Sequence, residues 1–184
     1  MEPRRLGAWN AREIHACGVA IPAPSDIRKA AVTIIEAIEP TLWPGVAFKE
    51  GPRDRPLSQI TEVEGDDLTR TFQVFVGPMG GQGNATRSPR FIGANEVTIT
   101  DKLVVHIAYH VTDEDVALTD LADLSADDQS AIIGAFEFSP LWGSARPAKV
   151  DPTGGGAPTP LRPGDDEDDL SAPKLLTLVF DIFN

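Results

Sequence analysis

With 184 residues, 28 of them acidic and 16 basic, the chain carries a formal charge of −12. That balance argues against a general nucleic-acid binder or a ligand of anionic membranes, since both need clustered Lys and Arg. The single cysteine, Cys17, excludes an intramolecular disulfide framework and a cysteine-based zinc site, and no apolar run reaches the roughly 18 residues of a spanning helix. The expectation is a soluble protein assembled in a reducing cytoplasm, one domain in size. Glycine and proline, at 16 each, predict long irregular stretches.

Residues 1–24 hold scattered apolar groups without a period and end in Pro-Ala-Pro, which resists helix. They read as an N-terminal arm. Loose on its own, such an arm gains most by burying Leu6 and Trp9 on a neighbouring subunit. A helix is predicted over 25–39, with Ser25 as N-cap and Asp26 in the first turn. Its apolar stripe is Ile27, Ala30, Ala31, Ile34, Ile35 and Ile38, and Pro40 is expected to end it. A short strand is expected at Val46–Phe48, then a loop over Glu50–Asp67. Leu68 to Val76 reads as a strand with Phe72, Val74 and Val76 on one face, and Gly77 to Pro89 as a flexible loop.

The clearest pattern runs from Val97 to Val111. Odd positions are Val97, Ile99, Asp101, Leu103, Val105, Ile107, Tyr109 and Val111, an alternation with one break at Asp101 that marks a strand with one buried face. Either a single strand spans about 50 Å at about 3.3 Å per residue, or Asp101-Lys102 turns a hairpin; the unbroken parity favours the long strand. Val116 to Phe136 reads as helix, in one piece or restarted at Ser125, which with Asp128 resembles a capping box. Leu121, Leu124, Ile132, Ile133 and Phe136 would face the sheet. Gly143 to Pro173 is expected to be an insertion of low order, and Lys174 to Phe183 a strand tied into the sheet. The order predicts an α+β fold: a mainly antiparallel sheet with helices packed on one face, long loops and an extended N-terminal arm, as one domain over 25–184.

Catalytic and cofactor patterns are missing from the sequence. His106 and His110 form an HxxxH pair, but four residues along a strand separate the rings by about 13 Å, too far to share one metal ion. His15 and Cys17 lack a third ligand. GPMGGQGN lacks the Gly-Lys-Ser/Thr ending of a phosphate loop. The run Asp165, Asp166, Glu167, Asp168 and Asp169 lacks the alternating ligands of an EF-hand and reads as a solvated segment or a contact for a basic partner. No serine sits in a nucleophile elbow. The expectation is a protein that is not an enzyme and needs no cofactor or metal.

The helix DIRKAAVTIIEAIEP, the strand LVVHIAYHV followed by an acidic helix start, and the terminal LLTLVFDIF together resemble the tail terminator (tail-completion) proteins of long-tailed bacteriophages and the related minor tail and neck proteins. The likeness covers 25–140 and 174–183; the arm and the 143–173 insertion exceed the family pattern. It implies a structural virion protein, a ring, usually hexameric, on the head-proximal end of the tail. The ring stops tube polymerisation and meets the tail tube protein and the head–tail connector. It also implies assembly in the host cytoplasm and DNA passing through without specific binding. Candidate contacts are Leu6, Trp9 and residues 165–169. A neck or head-completion protein in an adjacent ring, a monomeric acidic binding module, and a small hydrolase built around His106 or His110 are the other readings.

Overall fold

The computed structural model describes residues 22–57, 68–77, 88–92, 96–111, 118–155, 159–160 and 174–183. Its spine is strand β4 (Glu96–Val111), one unbroken strand of 16 residues. Asp101 does not turn the chain: it pairs with Ile182 in register and is buried. Around β4 lie β1 (Phe48–Glu50), β2 (Leu68–Val76), β3 (Ser88–Ile92), β5 (Lys149–Gly154), β6 (Thr159–Pro160) and β7 (Lys174–Phe183). The order is β1-β2-β4-β7-β5, with β3 on β4 and β6 on β7. All pairings are antiparallel except β1 with β2, so the fold is α+β with a mixed, mainly antiparallel sheet.

Helices α1 (Pro24–Glu36) and α2 (Leu118–Phe138) pack on one face of this sheet. The shared core takes Leu68, Phe72 and Val74 from β2 and Leu103, Val105, Ile107 and Tyr109 from β4. β7 adds Leu176, Leu178, Phe180 and Ile182, and the helices add Ile27, Ile34, Ile35, Leu121, Leu124, Ile132 and Phe136. Strand parity and helical stripe meet as the sequence requires. Phe136 sits edge-on to Phe180 with ring centroids 5.0 Å apart.

Several expectations need correction. α1 begins one residue earlier, with Ala23 as N-cap and Pro24 in its first turn; Ser25 makes no cap bond. Proline has its φ preset for that place and lacks an N–H that would be left over there. The helix stops at Glu36, before Pro40 acts. β1 is Phe48–Glu50 rather than Val46–Phe48, because its register is set by β2, where Phe48 pairs with Arg70. β3 occupies the end of the predicted Gly77–Pro89 loop and continues past it. Pro89 is tolerated there because an edge strand has a side that donates to nothing.

α2 is continuous through Ser125. The Ser125 hydroxyl donates to the Ala122 carbonyl at 2.9 Å, and Asp128 is buried instead of capping. The expected low-order insertion also begins in structure. A 3-10 helix (Pro140–Ala145) buries Trp142, whose indole N–H donates to the Phe136 carbonyl at 2.7 Å. β5 then joins the sheet, with the Ala148 N–H bonded to the Phe183 carbonyl.

Nor does β4 have only one buried face. Val104 and Ala108, on the side away from the helices, are fully buried as well. Leu57 packs over Ala108 and Leu175 there. The Gln73 amide donates to the carbonyls of Pro52 and Arg55, so residues 51–57 are drawn across this second face.

Phe180→Ala removes an aromatic side chain that is 1% exposed. It is expected to cost about 3–5 kcal/mol, read as a lowered urea midpoint with an unchanged slope.

Candidate assembly surfaces

Arg70 is on the core face of β2 and is 1% exposed. A guanidinium this deep needs every donor engaged. Its Nε donates to Asp128 Oδ2 at 2.7 Å. Nη1 donates to the carbonyls of Val46 at 2.7 Å and Trp43 at 3.3 Å, and Nη2 to that of Leu42 at 2.7 Å. The Tyr109 hydroxyl donates to the same Asp128 oxygen at 3.1 Å, and the guanidinium lies 5.6 Å from the Phe48 ring centroid.

Burial raises the Asp128 carboxyl above its ordinary value, outweighing the opposing bonds from Arg70 and Tyr109. Burial, with the adjacent Asp128 charge, also raises the Tyr109 phenol. The chemical result is a pin. Three carbonyls of the loop between α1 and β1 are fixed from inside, with Val46 packed against the core and the Leu42 and Trp43 side chains left at the surface. Leu42 and Trp43 are 37% and 41% exposed, and Trp43 is held at φ 54°, a left-handed conformation that a bulky residue keeps only when its surroundings impose it.

A second surface is the sheet face away from the helices. Arg53, Asp54, Arg55, Leu57, Phe75 and His106, with Gln73 and Leu175 beneath, line an open cleft of about 410 Å³. The His106 ring sits edge-on to Phe75 at 5.6 Å, and its Nδ1 lies 2.9 Å from Thr177 Oγ1. Arg53 bonds Glu50, which also holds Arg28 of α1. Arg55 makes no side-chain bond among the described residues. Further along this face the His110 Nε2 and Thr69 Oγ1 atoms, on register partners of β4 and β2, are buried and lack hydrogen-bond partners among the described residues.

The third is the start of β4. Thr100 pairs with Ser88 on one side and Phe183 on the other, so β3 runs in the lane of β2, which reaches only to Leu103. Among the described residues, 96–99 are therefore paired by β3 alone, a two-stranded ribbon beyond the body of the sheet.

Of the contacts proposed from sequence, Leu6, Trp9 and Asp165, Asp166, Glu167, Asp168 and Asp169 lie outside the described residues. His106 and His110 stand on one strand face, and among the described residues no three His, Cys, Asp or Glu side chains gather as a metal site. The Arg70–Asp128 pin was not found by sequence reading. Its signals were present: Arg70 shares the parity of Phe72 and Val74, and Asp128 shares the stripe of Leu121, Leu124 and Ile132. Among the described residues no helix is long and apolar enough to cross a membrane. Compared with models of known families and with curated proteins, the chain matches none.

Arg70→Met leaves Asp128 buried without its cation and is expected to cost about 3–5 kcal/mol, with Asp128→Leu in the same chain recovering at least half. Urea denaturation measures both, and limited proteolysis should cut within 41–47 faster in the single variant.

Burial pulls the His106 and His110 imidazoles below their ordinary value. The unfolded chain then binds protons more readily than the folded one. Their contribution is fully present above about pH 6.5 and is lost as pH falls toward the depressed folded values, with a slope of at most about 1.4 kcal/mol per unit for each ring. The histidine contribution to the unfolding free energy should stay level from pH 8 to about pH 6.5 and fall below it, with the drop toward pH 5.5 less steep in His106→Gln.

Proposed function

We propose that this chain is a structural virion protein of a long-tailed bacteriophage, a tail terminator. Copies close into a ring, six in the pattern it resembles, on the head-proximal end of the tail tube. The ring stops tube polymerisation and offers its other side to the head–tail connector. It works by fit alone, with no chemistry.

The observation that carries this reading is the β3–β4 ribbon. A two-stranded ribbon is marginal in water by itself, and the backbone edges left unpaired among the described residues are what a neighbouring sheet accepts by strand addition. Its extension past the sheet is stabilised once a second surface covers it. The pinned Leu42–Trp43 loop adds an apolar contact whose ordering cost is met within the fold, before any partner arrives. Different patches at different places on one subunit suit a head-to-tail interface, which closes into a ring. A charge of −12 suits a ring that DNA crosses without sticking.

The test is electron microscopy of purified protein mixed with preformed tail tubes, with light scattering on the protein alone. A ring with a central hole, or density capping one end of each tube and arrested tube length, is the expected result. Rings that bind head connectors but ignore tubes would move the assignment to a neck protein. Neither rings nor bound tube ends would remove it.

Deleting the ribbon by joining Val76 to Thr100 through a short Gly-Ser linker spares every β4 residue that pairs with β2 or β7. The shortened chain is expected to melt within a few degrees of the intact one while losing tube binding at least tenfold, read by calorimetry and by co-sedimentation with tubes.

A further inference from the structure

The C-terminal corner of α2 carries an acidic side chain without an ion pair among the described residues, although Arg146 and Lys149 line the hollow beside it. Glu137 stands exposed in the last helical turn, where the unsatisfied carbonyls already concentrate partial negative charge, and that turn contains no basic residue. Glu137 makes no ion pair among the described residues. Next to it Phe138 is 73% exposed, the most exposed large apolar side chain described, and Leu141 follows at 46%. An acidic group, a helix C-terminus and a protruding phenyl ring thus share one corner, on the helix-covered side of the sheet.

The opposite side of the sheet carries the converse. The cleft over β2, β4 and β7 has an apolar floor of Leu57, Phe75 and Leu175 with the His106 ring at its side. Its rim carries Arg53 and Arg55 against one carboxylate, Asp54. Arg53 gives its Nε to Glu50, and Arg55, the other rim cation, makes no side-chain bond among the described residues. The site is an apolar well with that unbonded guanidinium on its rim.

We propose that the corner Glu137–Leu141 of one copy docks into the arginine-rimmed cleft of the next. Phe138 enters between Phe75, His106 and Leu175, and the Glu137 carboxylate accepts hydrogen bonds from Arg55. The Arg55 guanidinium of one copy pairs with the Glu137 carboxylate of the other, and burying the phenyl ring adds apolar and edge-to-face contact. The two patches lie on opposite faces of the subunit, so the contact is heterologous. Each copy uses its corner forward and its cleft backward, and the series closes as a ring or continues as a filament. This inference rests on the ring reading and names the two surfaces that would form the ring contact.

The test uses the full chain with two charge or polarity changes at exposed positions, Phe138→Asp and Arg55→Glu, each checked by far-UV circular dichroism. Light scattering should show the wild type assembled, each variant monomeric, and an equimolar mixture stopping at a dimer, since one intact corner still meets one intact cleft. Combining Glu137→Arg with Arg55→Glu in one chain should restore assembly. Should both single variants assemble like the wild type, this contact is wrong while the ring reading stands. A wild type monomeric at several hundred micromolar also overturns the contact, and the terminator reading is then judged separately by binding to tube ends. Variants unfolded by circular dichroism are replaced by Phe138→Ser and Arg55→Gln, whose mixture must give the same dimer or the proposal fails.

Discussion

The buried Arg70 guanidinium is the polar tie among elements that also share the apolar core. Through Asp128 it ties β2 to the middle of α2, and through three carbonyls it ties β2 to the loop between α1 and β1. Tyr109 brings β4 into the same cluster. A hydrophobic contact at this place would be less demanding, since an apolar side chain leaves its neighbours free to shift. A buried charge does not, because each unmet donor costs the full desolvation of that group. The cluster therefore fixes the path of residues 42–46 as firmly as the strands beside it. The exposed left-handed Trp43 follows from this fixed path.

Around that pin the sheet is arranged unequally. The helix face is a continuous apolar core, whereas among the described residues the segment 51–57 crosses the other face, held by Gln73 through two carbonyl bonds. What remains is a cleft with arginines on its rim. The same asymmetry runs along β4. At its C-terminal half the strand has β2 and β7 on its flanks; at its N-terminal end, among the described residues, it has β3 alone. A subunit built this way has unlike surfaces on its two faces and at one end. That condition favours head-to-tail association over a self-complementary pair.

The proposed corner-and-cleft contact uses this asymmetry without asking for a change in the fold. Both partners are present at the ends or edges of rigid elements, Phe138 at the last residue of α2 and Phe75 on β2. Ordering costs on association are correspondingly small. Specificity would come from the charge pair, since a corner with a basic residue in place of Glu137 would set like charges against Arg55.

Local pattern determined much of this molecule. Parity along 97–111, the stripes of the two helices and the apolar run 174–183 each encode a periodicity that only one kind of element can bury, so the strands β2, β4 and β7, both helices and the α+β class were legible from the sequence. Tertiary structure decided the rest, for reasons of pairing and burial across long separations. β3 and β5 lie in stretches rich in glycine, proline and polar residues and become strands because β4 and β7 offer them an edge. Ser125 and Asp128 spell a helix start, yet Arg70, distant in sequence, makes Asp128 worth more inside than at a cap. Arg70 itself looks like a solvated position in a strand until three carbonyls, a carboxylate and a phenyl ring are gathered around it. A sequence states which side chains share a face; which of them meet a partner there depends on the packing of elements that lie far apart in the chain.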